Sequence, residues 1–422
     1  MLHLVFRISS FALLIPKRKM LGPRAKSSSL LRFAFCTLPF ALLFTALICI
    51  GQESPQKPYA AIDHSAITYH GPGRDASHDF TGPEIRLGLL APLSGPRQAE
   101  GEALRQAAEI AIEEENAASF PSGRRLTLVA RDASGPWGQA SSQVVHLVFD
   151  DDALAVITSA QADSAHLAEQ VGNKVGVPIL TLSSDSTTTE INLPWIFRLG
   201  PSDTVQARAF ARDIFQARKL QRVVLLTQND RDGRLGGEAF LKAAEALQAA
   251  APTEIVVDPG KLASGSFAKD LATAQAIVIW ADVATARLLS ARVREVQAAA
   301  PIYLCGKAVD NGERPAALTS HAASSGGGNR EQWVAAPQVN EEARADFDRR
   351  YRRRFGTEPG EGAAEAYDAV RILAASLRQS GPNRARLRDA LDGVSRFPGA
   401  SGVISFDRAG NDTSQVTLAR IR

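Results

Sequence analysis

The sequence predicts an α/β protein of two lobes, each built on a parallel sheet, and three observations carry that prediction. Short apolar runs alternate with segments of helical spacing from Ile85 onward, and the alternation restarts after residue 200. The runs are also continuously apolar, as in strands buried on both faces by helices. A chain of 422 residues, 45% hydrophobic and 22% charged, is long enough and apolar enough for two cores of ordinary size.

The elements follow in order. "IRLGLLAP" reads as a strand and "GEALRQAAEIAIEEENA" as its helix; "RLTLVARD" is followed by "GQASSQVVHLVFDD", "ALAVITS" by "ADSAHLAEQVGNKVG", and "VPILTLSS" by a polar stretch. After "WIFRLGPSD" the second series begins with the helix "TVQARAFARDIFQARKL" and runs through the strands "RVVLLTQ", "TEIVVDPG", "AIVIWAD" and "PIYLCG" with helices between them. Crossovers joining such parallel strands are expected to be right-handed. The segment 311–330 is low in complexity and reads as a loop. A simple tandem would end there. Instead "WVAAPQV" leads to two long helical patterns, "EEARADFDRRYRRRFG" and "GEGAAEAYDAVRILAASLRQSG", and then to "GVISFDRAG" and "TSQVTLARI".

The first 51 residues hold Arg7, Lys17, Arg18, Lys19, Arg24, Lys26 and Arg32 and no acid, and without them the net charge of +3 becomes −4. The chain's basicity therefore belongs to this leader. Basic residues, then the uncharged 18-residue run from Phe33 to Ile50, read as an export signal or an N-terminal anchor. Residues 52–83 lack apolar periodicity and read as a linker, whose His64, His70 and His78 have no metal-ligand spacing. Of three cysteines, Cys36 and Cys49 fall in the leader, so the remaining chain has Cys305 alone and no internal disulfide.

Catalytic patterns are missing. "GRLGG" at 233–237 has the wrong spacing for a phosphate loop, and no nucleophile elbow or zinc-protease signature occurs. His146 and His166 fall on helices, where surface or satisfied core positions are the usual fate. "RRYRRR" alternates with Phe347, Tyr351 and Phe355 at helical spacing, which marks an amphipathic helix end and not a nucleic-acid patch. What the sequence supplies is polar residues just after strands: Ser94, Ser159 to Ser164 and Ser183 in the first series; Asp230, Asp232, Trp280, Asp282 and Lys307 in the second. The carboxyl ends of parallel strands border the crevice where small molecules bind. Ser, Thr and Asp in such places are equally the standard N-caps of helices.

The ordered set "IRLGLLAPLSGP", "GRRLTLVARD", "LVFDDDALAVI", "VGVPILTLSS", "PWIFRLGPSD", "RVVLLTQNDRDGR", "EAYDAVRILAASLRQSG" and "GVISFDRAGN" resembles the type I periplasmic solute-binding proteins, in particular their branched-chain amino-acid branch, over residues 84–422. The resemblance implies two Rossmann-like lobes joined by a three-crossing hinge: 84–200 with 335–398, and 201–334 with 399–422. It implies a binding protein and no enzyme, with no cofactor. The expected partners are a small polar ligand clamped between the lobes and an ABC permease; nucleic acid is not among them, and a membrane is met only through the leader or the permease. The expected location is periplasmic or exported. Carried over position by position, the family's ligand-holding residues fall on Glu100, Ala162, Ser183, Asp185, Asp232 and Lys307, with Ser94 and Asp282 at neighbouring strand ends. Most of these are the wrong type for a zwitterionic amino acid. Asp185 beside a ligand carboxylate would cost about 4 kcal/mol at an intermediate dielectric. The ligand is therefore different, or the acids pair with Lys307 and the cleft has become a sensor or a partner-binding module.

Overall fold

The computed structural model describes residues 69, 71–75, 80, 82–118, 123–190, 193–258, 268–296, 299–309 and 331–421. The expected leader 1–51, the three linker histidines and the loop 311–330 lie outside them.

The first sheet is formed by β1 (Glu84–Ala91), β2 (Arg125–Asp132), β3 (Ala155–Thr158), β4 (Ile179–Thr181) and β5 (Ile196–Arg198), in the order β2-β1-β3-β4-β5 and parallel throughout. Between them run α1 (Gln98–Ala117), α2 (Trp137–Phe149), α3 (Ala162–Val175) and the short α4 (Thr187–Glu190). The alternate faces of its strands enter two apolar clusters. Leu87, Leu89, Ile157 and Leu180 pack on one side, whereas Leu90, Val156 and Ile179 meet Val144 and Leu147 of α2 on the other. Burial on both faces explains the unbroken apolar runs.

From β5 the chain passes through α5 (Asp203–Ala211), continued as a π-helical turn Arg212–Ala217, into the second sheet. That sheet contains β6 (Val223–Gln228), β7 (Thr253–Val257), β8 (Ala276–Trp280), β9 (Ile302–Leu304) and β10 (Gln332–Pro337), with helices α6 (Arg231–Ala246), α7 (Ala268–Thr273) and α8 (Val283–Val296). The chain then returns to the first sheet as α9 (Glu341–Phe355), α10 (Ala363–Ser380) and α11 (Arg384–Asp392), makes the hairpin β11 (Phe397–Pro398) and β12 (Val403–Ile404), and crosses again to β13 (Val416–Arg420). β13 is the one antiparallel member of the order β13-β10-β9-β8-β6-β7. Each sheet with its helices is a lobe, and the chain passes between the lobes three times. The crossings are laced together: Gly200 N–H donates to Asp412 at 3.1 Å, and Gln338 N–H to the Gln415 carbonyl at 3.2 Å.

α10 fills the first lobe because nearly its whole circumference is apolar, with Val370, Ile372, Leu373 and Leu377 buried. Its contacts with α1 and those of α9 account for the arginine run. Phe347 and Tyr351 face the core, while Arg350 pairs with Glu114 and Arg354 with Glu113 at 2.7 Å. The described residues ahead of β1 are tied down as well. Tyr69 meets Trp195 edge-on with ring centroids 4.8 Å apart, Arg74 pairs with Asp389 at 2.6 Å, and Phe80 belongs to the first core.

Asp368 on α10 fixes the final return. It is fully buried and accepts from Ala400 N–H (2.9 Å), Ser401 N–H (2.7 Å) and the Ser401 hydroxyl (2.6 Å), and burial lifts its carboxyl to about 6 in spite of those bonds. Asp368→Ala strands three buried donors and is expected to lower the unfolding free energy by about 2–4 kcal/mol, measured by urea denaturation. Asp368→Asn, which keeps an acceptor, should lose less.

Candidate functional site

The parallel strands of both sheets end facing the same crevice, and the loops that follow bring charge into it. In the first lobe, β1 runs into Ser94, a 3-10 turn Gly95–Arg97 and then α1, whose first turn carries Glu100. Gly101 lets α1 start against the strand end, since a Cβ there would lie 2.0 Å from the Pro92 carbonyl oxygen. Arg97 and Glu100 pair at 2.7 Å. Burial pushes the Glu100 carboxyl up, with Arg97 pulling the other way.

In the second lobe, β6 leads to Asp230, which N-caps α6 by accepting from Gly233 N–H at 2.7 Å. The next two residues, Arg231 and Asp232, project from the first turn across to the other lobe. Asp232 accepts from the Ala162 N–H at 3.3 Å. Ala162 opens α3, and the N-cap residue of that helix, Gln161, makes no side-chain capping bond. An acid of one lobe thus caps a helix of the other, where the unpaired N–H groups and helix dipole favour negative charge. The second oxygen of Asp232 pairs with Lys307 at 3.1 Å. Burial works to lower the lysine, but Asp232, Asp230 and Asp203 outweigh it and hold the ammonium above its ordinary value.

Asp185 sits behind this contact. Its side chain is buried and accepts from Thr187 N–H (2.9 Å) and the Thr187 hydroxyl (2.7 Å), while its other oxygen lies 2.9 Å from His166 Nε2 and 3.7 Å from Arg231 of the second lobe. His166 Nδ1 is 3.1 Å from Glu169. Burial alone would lower the imidazole, yet two carboxylates raise it to about 9 and keep it protonated; against burial, the His166 and Thr187 bonds hold Asp185 below its ordinary value.

The eight expected positions therefore divide. Ala162, Asp232 and Lys307 are in contact, with Glu100 within electrostatic range of Lys307 and Asp185 reached by Arg231. Asp282 caps the start of α8, accepting from Thr285 N–H at 2.8 Å, and feels Arg97 across the crevice. Two hydroxyls are committed within their own lobe. Ser94 donates to Asp132 at 2.5 Å, and Ser183 accepts from Asp185 N–H at 3.2 Å while its own N–H goes to Thr181. Trp280 points into the second core, edge-on to Phe210, and takes no part.

Arg97, Arg231, His166 and Asp203 are members of the site that sequence reasoning passes over. Asp203 opens α5, is buried, and is lifted to about 6 by that burial although Ser184 bonds it. A small cavity of about 60 Å³ lies between the lobes, lined by Ser184, Gln206, Gly306, Lys307 and Glu361 among others.

The family model "Periplasmic binding protein" matches residues 84–422. The chain belongs to this family. Over 134 residues this binding protein is 31% identical to Leu/Ile/Val-binding protein homolog 7 of Brucella abortus, a match covering 32% of each chain, so it spans about a third of that relative's length. Leu/Ile/Val-binding protein BraC3 of Rhizobium johnstonii is 25% identical over 341 residues, covering 79% of this chain and 90% of that one. The substrate-binding protein LivJ of Streptococcus pneumoniae, solved in complex with isoleucine, superposes with a TM-score of 0.66 at 20% identity, over 80% of this chain and 99% of its own. The two-lobed α/β architecture is thus that of a periplasmic, type I binding protein, a family of non-catalytic binders whose members are exported. Among the described residues no helix is long and apolar enough to cross a membrane.

His166 gives a pH signature. Its folded value stands above its ordinary 6.5, so the stability it contributes is full below about 6.5 and disappears as pH rises through about 9. Denaturant unfolding of the parent should weaken across that window relative to His166→Gln, and parallel curves would count against the ion-paired imidazole.

Proposed function

We propose that the protein is the exported receptor of an ABC importer, closing its lobes, 84–200 with 335–398 and 201–334 with 399–422, on a small polar solute that it delivers to a permease. The observation that carries this reading is the Asp232 contact to Ala162 N–H, a bond from lobe to lobe at the strand tips. It gives the closed arrangement a specific latch, and hinge closure around a ligand is the motion such a latch serves. In this reading Glu100, Asp185, Asp232, Asp282 and Lys307 line the cleft, Ala162 presents its backbone, and Ser94 and Ser183 shape the loops behind. The names of the relatives, which are Leu/Ile/Val-binding proteins, support a solute of amino-acid size.

A second reading has one observation in its favour. The cleft is already spanned by the protein's own groups, Asp232 to the Ala162 N–H and Arg231 to Asp185, with Lys307 neutralising Asp232 from its own lobe, as expected of a clamp that has become a sensor or partner-binding module.

A thermal-shift screen across amino acids, amides, amines and aromatic acids separates the two. A solute at a hundred times its Kd is expected to add about 2.7 kcal/mol to the folded state. Asp185→Ala should abolish that gain in an importer receptor and leave partner binding untouched in a module. In solution scattering, ligand should shrink the radius of gyration of the parent, and Asp232→Ala should blunt the change by loosening the latch. No stabilisation by any compound would overturn the importer reading.

A further inference from the structure

The second sheet ends on β13, which has no strand on its outer side among the described residues. Its pairing with β10 fixes which of its backbone groups are left over. Gln338 N–H donates to the Gln415 carbonyl at 3.2 Å and Ile421 N–H to the Gln332 carbonyl at 2.9 Å, and the register between those bonds is unbroken. Antiparallel pairing uses alternate residues, so 415, 417, 419 and 421 are the ones that bond to β10. The N–H and C=O groups of Val416, Leu418 and Arg420 point away from the sheet.

Along this edge lies an open groove of about 840 Å³, with Val416 and Leu418 on one wall and Val205, Arg208, Arg212 and Gln216 on the other, from α5 and its π-helical continuation. Its surface charge is one-sided. Arg208 and Arg212 are exposed, and among the described residues neither has an ion pair or a side-chain hydrogen bond. The two acids of the lining are buried and engaged. Asp213 accepts from the Tyr303 hydroxyl at 2.5 Å and pairs with Arg218 at 2.8 Å, while Asp412 accepts from the Gly200 and Ser414 N–H groups. Just beyond the lining, Glu331 pairs with Arg218 and lies in the field of Arg420. The sequence of both walls leans the same way: residues 204–222 hold five basic side chains and one acid, and 413–422 hold two and none.

We propose that this edge is a docking site for an extended acidic peptide segment of a partner protein, which adds to β13 as a further strand and lays its carboxylates on Arg208 and Arg212. The main chain of such a segment supplies donors and acceptors to the outward groups of Val416, Leu418 and Arg420. The spacing also agrees. Residues four apart on one helical face stand about 6 Å apart, and alternate side chains of a strand, all on one face, about 7 Å. A second copy fits less well, because β13 paired with its own twofold image would set the arginine pair against itself. None of the cleft residues lines the groove, so the inference goes beyond the solute-binding reading and does not depend on it.

The test is fluorescence anisotropy of the purified full chain with a labelled octapeptide of alternating glutamate and threonine, and with its lysine and threonine counterpart. The acidic peptide is expected to bind saturably, more weakly as salt rises, and the basic one not at all. Arg208→Glu combined with Arg212→Glu should weaken binding tenfold or more without moving the melting temperature, since both side chains are exposed. Val416→Pro removes an outward N–H at the first residue of an edge strand, where proline is tolerated, and should also weaken binding tenfold or more. If that variant melts below the parent, the octapeptide methylated at every backbone nitrogen carries this arm and should fail to bind. Unchanged affinity in this arm overturns strand addition, because a charged surface alone then suffices. Equal binding of the basic peptide, or none of the acidic one, overturns the docking site. A parent that sediments as a dimer and becomes a monomer with Val416→Pro gives the edge to a second copy and overturns the peptide.

Discussion

Parallel pairing is the constraint on which the rest of this molecule depends. Strands that all run one way place all their carboxyl ends on one edge, so each sheet collects its polar loops on a single rim. Two such sheets joined by three crossings bring the rims face to face. Helix starts then stand at the same edge as strand ends, with unpaired N–H groups directed into the gap. Asp232 bonding to the start of α3 is the direct result. The single antiparallel strand, β13, is at the sheet edge where it closes the second lobe and leaves the rim undisturbed.

Electrostatics in that gap follow from the burial of its acids. Charges that would be nearly indifferent to one another in water interact strongly when buried, and each acid must be paired, hydrogen-bonded or lifted in pKa. The site uses all three outcomes. Asp232 is paired with Lys307, Asp185 is hydrogen-bonded by Thr187 and His166, and Asp203 is pushed up to about 6. The same chemistry outside the cleft makes ordinary loop structure. Asp132, though burial opposes it, is held at about 2 by Ser94, Ser134 and the Leu93 N–H.

Much of the fold was legible because it is local. Unbroken Val, Ile and Leu runs mark strands with two covered faces, and the aromatic spacing within the arginine run marks a helix edge, which the Glu113 and Glu114 pairs now explain. The site was legible as a rim and less so as a set of contacts. Ala162 offers no side-chain chemistry, so its role is visible only once α3 is known to lack a cap. Asp203 reads in sequence as the first-turn acid of a helix, and Arg231 as one charge in "NDRDG"; each acquires meaning from the opposite lobe. Ser94 and Ser183 show the reverse. Their hydroxyls match what a ligand rim needs, but short-range turns claim them first.

The threefold passage of the chain between the lobes also governs when either lobe can be finished. The first core needs Phe80 and Phe406, and the second needs Ala207 and Ile421. A nascent chain that has left the ribosome as far as β5 holds every strand of one sheet but lacks the helix that fills its face. Contacts spanning so much sequence close late. Neither core of such a polypeptide can be completed until its last segment is made.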